Sequence, residues 1–103
     1  MQIRMVSVGR VGRDVEGVIN IKIGRGTPLG NPFYMADESM RDEVCDKYEA
    51  YFHAEVKKQG AFRDEVIRLY KLVKSGKSIN LQCYCAPKRC HGHTIKAFIE
   101  SFL

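Results

Sequence analysis

Hydrophobic and polar residues alternate twice near the start of the chain. Ile3 to Val8 is an apolar-rich run closed by Gly9, and Val18 to Ile23 carries β-branched residues on every other position. A period of two sends successive side chains to opposite faces, so both stretches predict strands, with a turn-like segment from Arg10 to Gly17 between them. From Met40 the period lengthens. Met40, Val44, Tyr48, Tyr51, Phe52 and Val56 fall on one helical face, with Ser39 as the expected cap and Asp42 as its capping-box partner. Gly60 separates this helix from a second, whose apolar face is Phe62, Val66, Leu69, Tyr70 and Val73 and which Ser75-Gly76 ends. Ser78 to Cys83 predicts a third strand. Ile95, Phe98, Ile99 and Phe102 follow at helical spacing and predict a C-terminal helix. The order β-β-α-α-β-α predicts an α/β fold, a small single-layer sheet of about three or more strands covered by helices. At 103 residues, 1–103 is read as one domain, because two halves would each be too small to bury a core.

Composition narrows the class of protein. With 45% hydrophobic and 28% charged residues the chain is neither a disordered nor a membrane-embedded one. No apolar run approaches the roughly 20 residues that cross a bilayer. The first residues lack the apolar core of a signal peptide, so no membrane partner and a cytoplasmic location are expected. A formal net charge of +5 favours a phosphorylated small molecule or nucleic acid as partner, although the basic residues are spread along the chain rather than massed in a tail.

Three of the four cysteines lie in the run Cys83-Tyr84-Cys85-Ala86-Pro87-Lys88-Arg89-Cys90-His91-Gly92-His93. In a reducing compartment such clustering points to metal binding or catalysis before disulfides. Cys83 and Cys85 share one side of a strand end, and Cys90 and His91 return where the last helix begins. Together they offer the three thiolates and one imidazole of a tetrahedral zinc site. His93 is a second nitrogen donor. A buried thiol cluster without metal is the bland alternative. Two catalytic readings use the same residues: Cys83 with Arg89 fits the C-x₅-R pattern of a phosphate-binding loop, and Cys90 at a helix N-terminus could act as nucleophile with His91 or His93 as base. Cys83, Cys90 and His91 are thus the catalytic candidates. His53-Ala54-Glu55 matches the H-x-E of zinc deaminases, but the partner motif P-C-x-x-C is missing. A solvent-facing His and Glu on a helix explains it more simply.

The second unusual stretch is the loop Gly24-Arg25-Gly26-Thr27-Pro28-Leu29-Gly30-Asn31-Pro32-Phe33. Gly26 and Gly30 permit close approach of a ligand to backbone. Arg25 offers a bidentate fork for phosphate or carboxylate. Thr27 and Asn31 add hydrogen-bonding groups, and Phe33 could stack on a base. A rigid loop whose Leu29 and Phe33 plug the core is the structural alternative. Both loops follow strands, and ligands of α/β sheets bind at the carboxyl ends of strands, so the two are expected to face each other.

Taken together, the Val-x-Val-Gly-Arg start, Ile-Gly-Arg-Gly-Thr-Pro-Leu-Gly-Asn-Pro-Phe, the Arg41/Tyr48 helix and Leu81-x-Cys83-x-Cys85-x-Pro87-x-x-Cys90-His91-Gly92 resemble a domain-of-unknown-function family, number 4326, found in phages and bacteria. The resemblance runs over essentially the whole chain. It implies site residues at Arg10, Arg25, Gly26, Leu29, Gly30, Asn31, Pro32, Phe33, Arg41, Cys83, Cys85, Cys90 and His91, and leaves His53 and His93 outside the pattern. It implies no reaction. A phage origin would make a host protein a candidate partner. The expected function is therefore a nucleotide- or nucleic-acid-directed protein with a pocket between the Gly24–Phe33 loop and a zinc cluster at Cys83, Cys85, Cys90 and His91. Arg10, Arg25 and Arg41 would hold an anionic group there, and hydrolysis or group transfer is the expected chemistry if it is an enzyme. The alternative is a non-enzymatic binding module stapled by zinc or thiols, such as an inhibitor of a host factor.

Overall fold

A computed structural model describes residues 6–33, 35–84 and 88–102. Its elements are β1 (Val6–Arg10), β2 (Ile19–Lys22), a 3₁₀ turn (Glu38–Met40), α1 (Arg41–Glu55), α2 (Ala61–Lys74), β3 (Ile79–Cys83) and α3 (His91–Glu100), the predicted order. The predicted first strand began at Ile3, and its first three residues lie outside the described residues. Ser39 is not the cap. The Asp37 carboxylate accepts the Ser39 backbone N–H at 2.8 Å and also its hydroxyl, so the chain first closes a 3₁₀ turn and enters α1 without a side-chain cap.

β3 is central. The strand order is β1-β3-β2 with both pairs parallel, Val6 and Ile19 each standing opposite Ile79. Period two then divides the sheet. Val6, Ile21, Ile79, Leu81 and Cys83 belong to the core under the helices, where Tyr48 and Phe52 of α1, Leu69 and Val73 of α2 and Ile95 and Ile99 of α3 meet them. Ser7, Asn20, Asn80 and Gln82 occupy the other face. Among the described residues no helix covers that face, yet Asn80 and Gln82 are each only 1% exposed.

The covering is supplied by the β1–β2 connection. β1 and β2 flank β3 and run the same way, so the chain leaving Arg10 must cross β3 to reach Ile19. In crossing it pairs with the amides of that face: Gln82, which is buried, donates to Asp14 at 2.7 Å, and half-buried Asn20 exchanges two 3.0 Å hydrogen bonds with the Val15 backbone. Asn80 donates to Asn20 and accepts from the Ser7 hydroxyl, both at 3.0 Å, which links the three strands. Buried amides cost free energy unless paired in this way. Because the strands are parallel, all three carboxyl ends lie at one edge, where the Gly24–Phe33 loop and the Cys83–His91 segment begin. No helix among the described residues is long and apolar enough to cross a membrane.

Candidate metal centre and adjoining cavity

The Gly24–Phe33 loop is built on its own backbone. The Thr27 hydroxyl and N–H both donate to the Gly24 carbonyl, at 2.6 and 3.2 Å, and Gly30 N–H donates to Thr27 at 3.0 Å. The fold-back presses Gly30 onto Gly24: a Cβ at position 30 would lie 2.6 Å from the Gly24 carbonyl oxygen. Gly30→Ala is therefore expected to destabilise the protein by about 1–3 kcal/mol, read from urea unfolding, because the clash is with backbone that cannot rotate away. An unchanged midpoint would mean the loop is looser than this geometry. Leu29 is buried in the core and its carbonyl accepts the Tyr48 hydroxyl at 2.8 Å. Asn31 accepts the Phe33 N–H at 2.9 Å, and the Phe33 ring meets Tyr51 edge-on. Arg25 is exposed, with its guanidinium 3.3 Å from the Phe33 carbonyl.

Across from this loop, Cys83 ends β3 on the core-facing side and α3 begins at His91. Gly92 lets the start of α3 sit against the sheet, since a Cβ there would be 3.0 Å from Ile23 and 3.1 Å from Val8. The consequence is that one donor atom from each of Cys83, Cys90 and His91 lies within 4.8 Å of the others, and all three residues are buried. The imidazole is oriented. His91 Nε2 is 2.5 Å from the Ile23 carbonyl, and a carbonyl can only accept, so Nε2 carries the proton. That leaves the Nδ1 lone pair facing Cys83 Sγ at 3.9 Å. Tetrahedral zinc with ordinary Zn–S and Zn–N bonds spaces its sulfur and nitrogen donors roughly 3.6 Å apart, close to the Cys83–His91 separation. An imidazole donating its second nitrogen to a backbone carbonyl is also the usual support of a ligating histidine. The Tyr48 ring packs edge-on against His91 at 5.0 Å. Burial pushes its phenol well above the ordinary range, with Tyr51 and Cys90 adding to the shift, so the hydroxyl stays a donor to Leu29.

The remaining predicted residues are dispersed. Cys85 lies outside the described residues. His93 serves α3: its Nδ1 accepts the Cys90 N–H at 3.1 Å in a reciprocal capping box. Arg89, the arginine of the C-x₅-R pattern, turns to α1 and binds Asp42 at 3.0 Å and Asp46 at 2.8 Å. Arg41 chelates Glu38, holding its carboxyl down to about 2 with Lys88 adding to the shift, and donates to the Arg89 carbonyl. Arg10 stands opposite Cys83 on β1 but outside the cavity wall. His53 is exposed on α1 beside Phe98, and Glu55 pairs with Lys58.

The two segments enclose a cavity of about 520 Å³ whose wall includes Arg25, Phe33, Arg41, Cys83, Cys90 and His91. Among the described residues the wall carries three arginines, counting Arg89, and no carboxylate. Sequence reasoning missed Met35, Cys45 and Tyr84 in this wall. Cys45 reaches the wall from α1, one turn before Tyr48; its place on the Arg41–Tyr48 stripe was the available signal. Tyr84 had no periodic signal. It is 72% exposed at the mouth, where its ring would meet a Cβ on Gly24 at 3.5 Å.

Fold and site together define a small α/β protein with a buried Cys–Cys–His cluster, able to hold a metal ion, at the carboxyl edge of a parallel sheet. The chain belongs to the family described as Domain of unknown function (DUF4326), which it matches over residues 6–101. No curated protein and no solved structure gives a match.

Proposed function

We propose that this is a zinc protein directed at a nucleotide or nucleic-acid ligand, with the ion on Cys83, Cys90 and His91 and the ligand in the adjoining cavity. The observation that carries the reading is that the three donors are themselves part of the cavity wall. A metal held there faces the space a ligand would enter, which supports a coordination position open to water or substrate. Zinc so bound would supply Lewis acidity and a water of lowered pKa, the chemistry of hydrolysis or group transfer at a base, glycosidic bond or phosphate. Arg25 at the rim suits a phosphate, the absence of carboxylates from the described wall favours an anion, and Phe33 and Tyr84 offer aromatic surface to a base.

Cys85, the fourth donor that the sequence offers, supports a second reading. A further thiol closing the ion in four protein ligands would make it structural, and the protein a binding module that sequesters a nucleotide or blocks a host protein.

Elemental analysis of protein purified without chelator or metal-affinity resin decides the first point, about one zinc per chain being expected. Absence of metal with reactive thiols would sink it. For the ligand, AMP and a short oligonucleotide are the probes. Arg25→Ala is expected to leave the fold intact and weaken binding roughly 10–100-fold, the weight of a charge-assisted hydrogen bond. If Arg25→Ala instead unfolds the protein, the loop is structural and the pocket reading fails.

A further inference from the structure

The peptide group joining Arg89 to Cys90 is held at both ends. Its carbonyl accepts from Arg41 Nη1 at 2.9 Å, with Cys45 Sγ at 3.6 Å, and its N–H donates to His93 Nδ1 at 3.1 Å. A peptide unit is planar, so fixing its C=O and its N–H fixes the direction in which Cys90 leaves it. The same turn is held by its side chains. The Arg89 guanidinium spans Asp42 and Asp46, and Lys88 reaches Glu38, the carboxylate that chelates Arg41. Arg41 and Cys45, and Asp42 and Asp46, are neighbours one helical turn apart. The first turns of α1 therefore grip both the backbone and the side chain of the residue preceding a metal donor.

We propose that this α1 clasp sets the affinity of the metal centre, and that Arg41, Arg89, Asp42 and Asp46 are positioning residues for Cys90. The inference rests on the zinc reading above. Its physical ground is that Cys83 stands on β3 and His91 is held by the Ile23 carbonyl, whereas Cys90, the N-cap of α3, takes its direction from the Arg89–Cys90 peptide that α1 holds. An isolated exposed ion pair contributes little. Here one arginine bridges two carboxylates and a second arginine is chelated, a network with defined geometry. Outer contacts that orient a ligand typically change metal affinity 10–100-fold.

The test is zinc affinity by chelator competition in Arg89→Met and in Asp42→Asn with Asp46→Asn. Each is expected to bind zinc roughly 10–100-fold more weakly, and combining them should add no more than about twofold, because both remove one interaction. Arg89→Lys is expected to recover part of the affinity, since an ammonium lacks the fork that spans two carboxylates. Raising NaCl from about 0.05 to about 0.5 M should weaken wild-type binding and leave Arg89→Met little changed, because salt screens the clasp only where it exists. A merely structural pair would lower metal-free stability without this salt-dependent loss of affinity. The asparagine pair serves if Arg89→Met does not fold. Affinities within about twofold of wild type in both variants would overturn the clasp and leave the metal reading standing. Wild-type protein that takes up no zinc would overturn both.

Discussion

Serine in place of Cys83 or Cys90 is expected to abolish stoichiometric zinc binding and to lower the thermal midpoint by about 10–20 °C in zinc-loaded buffer. The arithmetic is that of linkage. A ligand at a hundredfold excess over its Kd stabilises the folded state by about 2.7 kcal/mol, and a domain of this size gains roughly 4–8 °C per kcal/mol. Serine keeps the shape of cysteine and loses the soft thiolate, so the comparison isolates the metal contribution. The difference between wild type and variant should shrink to a few degrees when zinc is removed by chelation. A variant that keeps one zinc per chain and the wild-type midpoint would show that the ion, if any, sits elsewhere. A midpoint difference that persists in chelator would assign the thiols to core packing, for Cys83 and Cys90 are both buried in the hydrophobic core.

Truncating Tyr48 should have the largest effect outside the cluster. Its side chain is fully buried, its ring lies against His91 and Phe52, and its hydroxyl donates to Leu29 in the Gly24–Phe33 loop. Tyr48→Ala removes all three contacts at once and is expected to destabilise by about 3–5 kcal/mol, the range for emptying a buried aromatic site. Tyr48→Phe leaves the ring and deletes only the hydrogen bond, at about 1–2 kcal/mol, part of which is the Leu29 carbonyl left buried without its donor. Because that bond ties the loop to α1, the phenylalanine variant should also speed amide exchange at Gly30, while exchange in β3 should follow the change in global stability alone. Uniform acceleration throughout the chain would mean that Tyr48 supports the core and does not brace the loop. Urea unfolding of the two variants, with exchange measured on Tyr48→Phe, separates these outcomes.

The element order and the clustered thiols were legible because both are local properties. Alternation at Val18–Ile23, helical spacing through Val44, Tyr48 and Phe52, and three cysteines between positions 83 and 90 can be read within windows of a few residues. The strand-to-helix turn that brings Cys83, Cys90 and His91 together is likewise set by neighbours in sequence, which is why that part of the site could be anticipated. Ser39 misled because Asp37, two residues earlier, accepts both its N–H and its hydroxyl, which closes a 3₁₀ turn ahead of α1 and uses the side chain that would have capped it.

Tertiary structure decided the rest, and for one reason: the partners concerned are far apart in sequence. Neither the parallel direction of the strands nor the central place of β3 is encoded in any single strand's pattern. The burial of Asn80 and Gln82 follows from no local pattern, because their side-chain amides bind Asn20 and Asp14, 60 and 68 residues away. Arg41 and Arg89 look like free anion ligands in the sequence. In the folded protein Arg41 binds Glu38 and the Arg89 carbonyl, and Arg89 binds Asp42 and Asp46, across separations of up to 48 residues. Cys45 looks like one more core residue of a helix, and only the docking of α1 against the Cys83–His91 segment brings it to the cavity wall. Sequence alone determined which residues carry metal-binding chemistry and on which elements they stand. The packing of α1 against that segment decided which charges remain at the cavity rim, because a guanidinium binds whichever carboxylate or carbonyl the fold brings within reach.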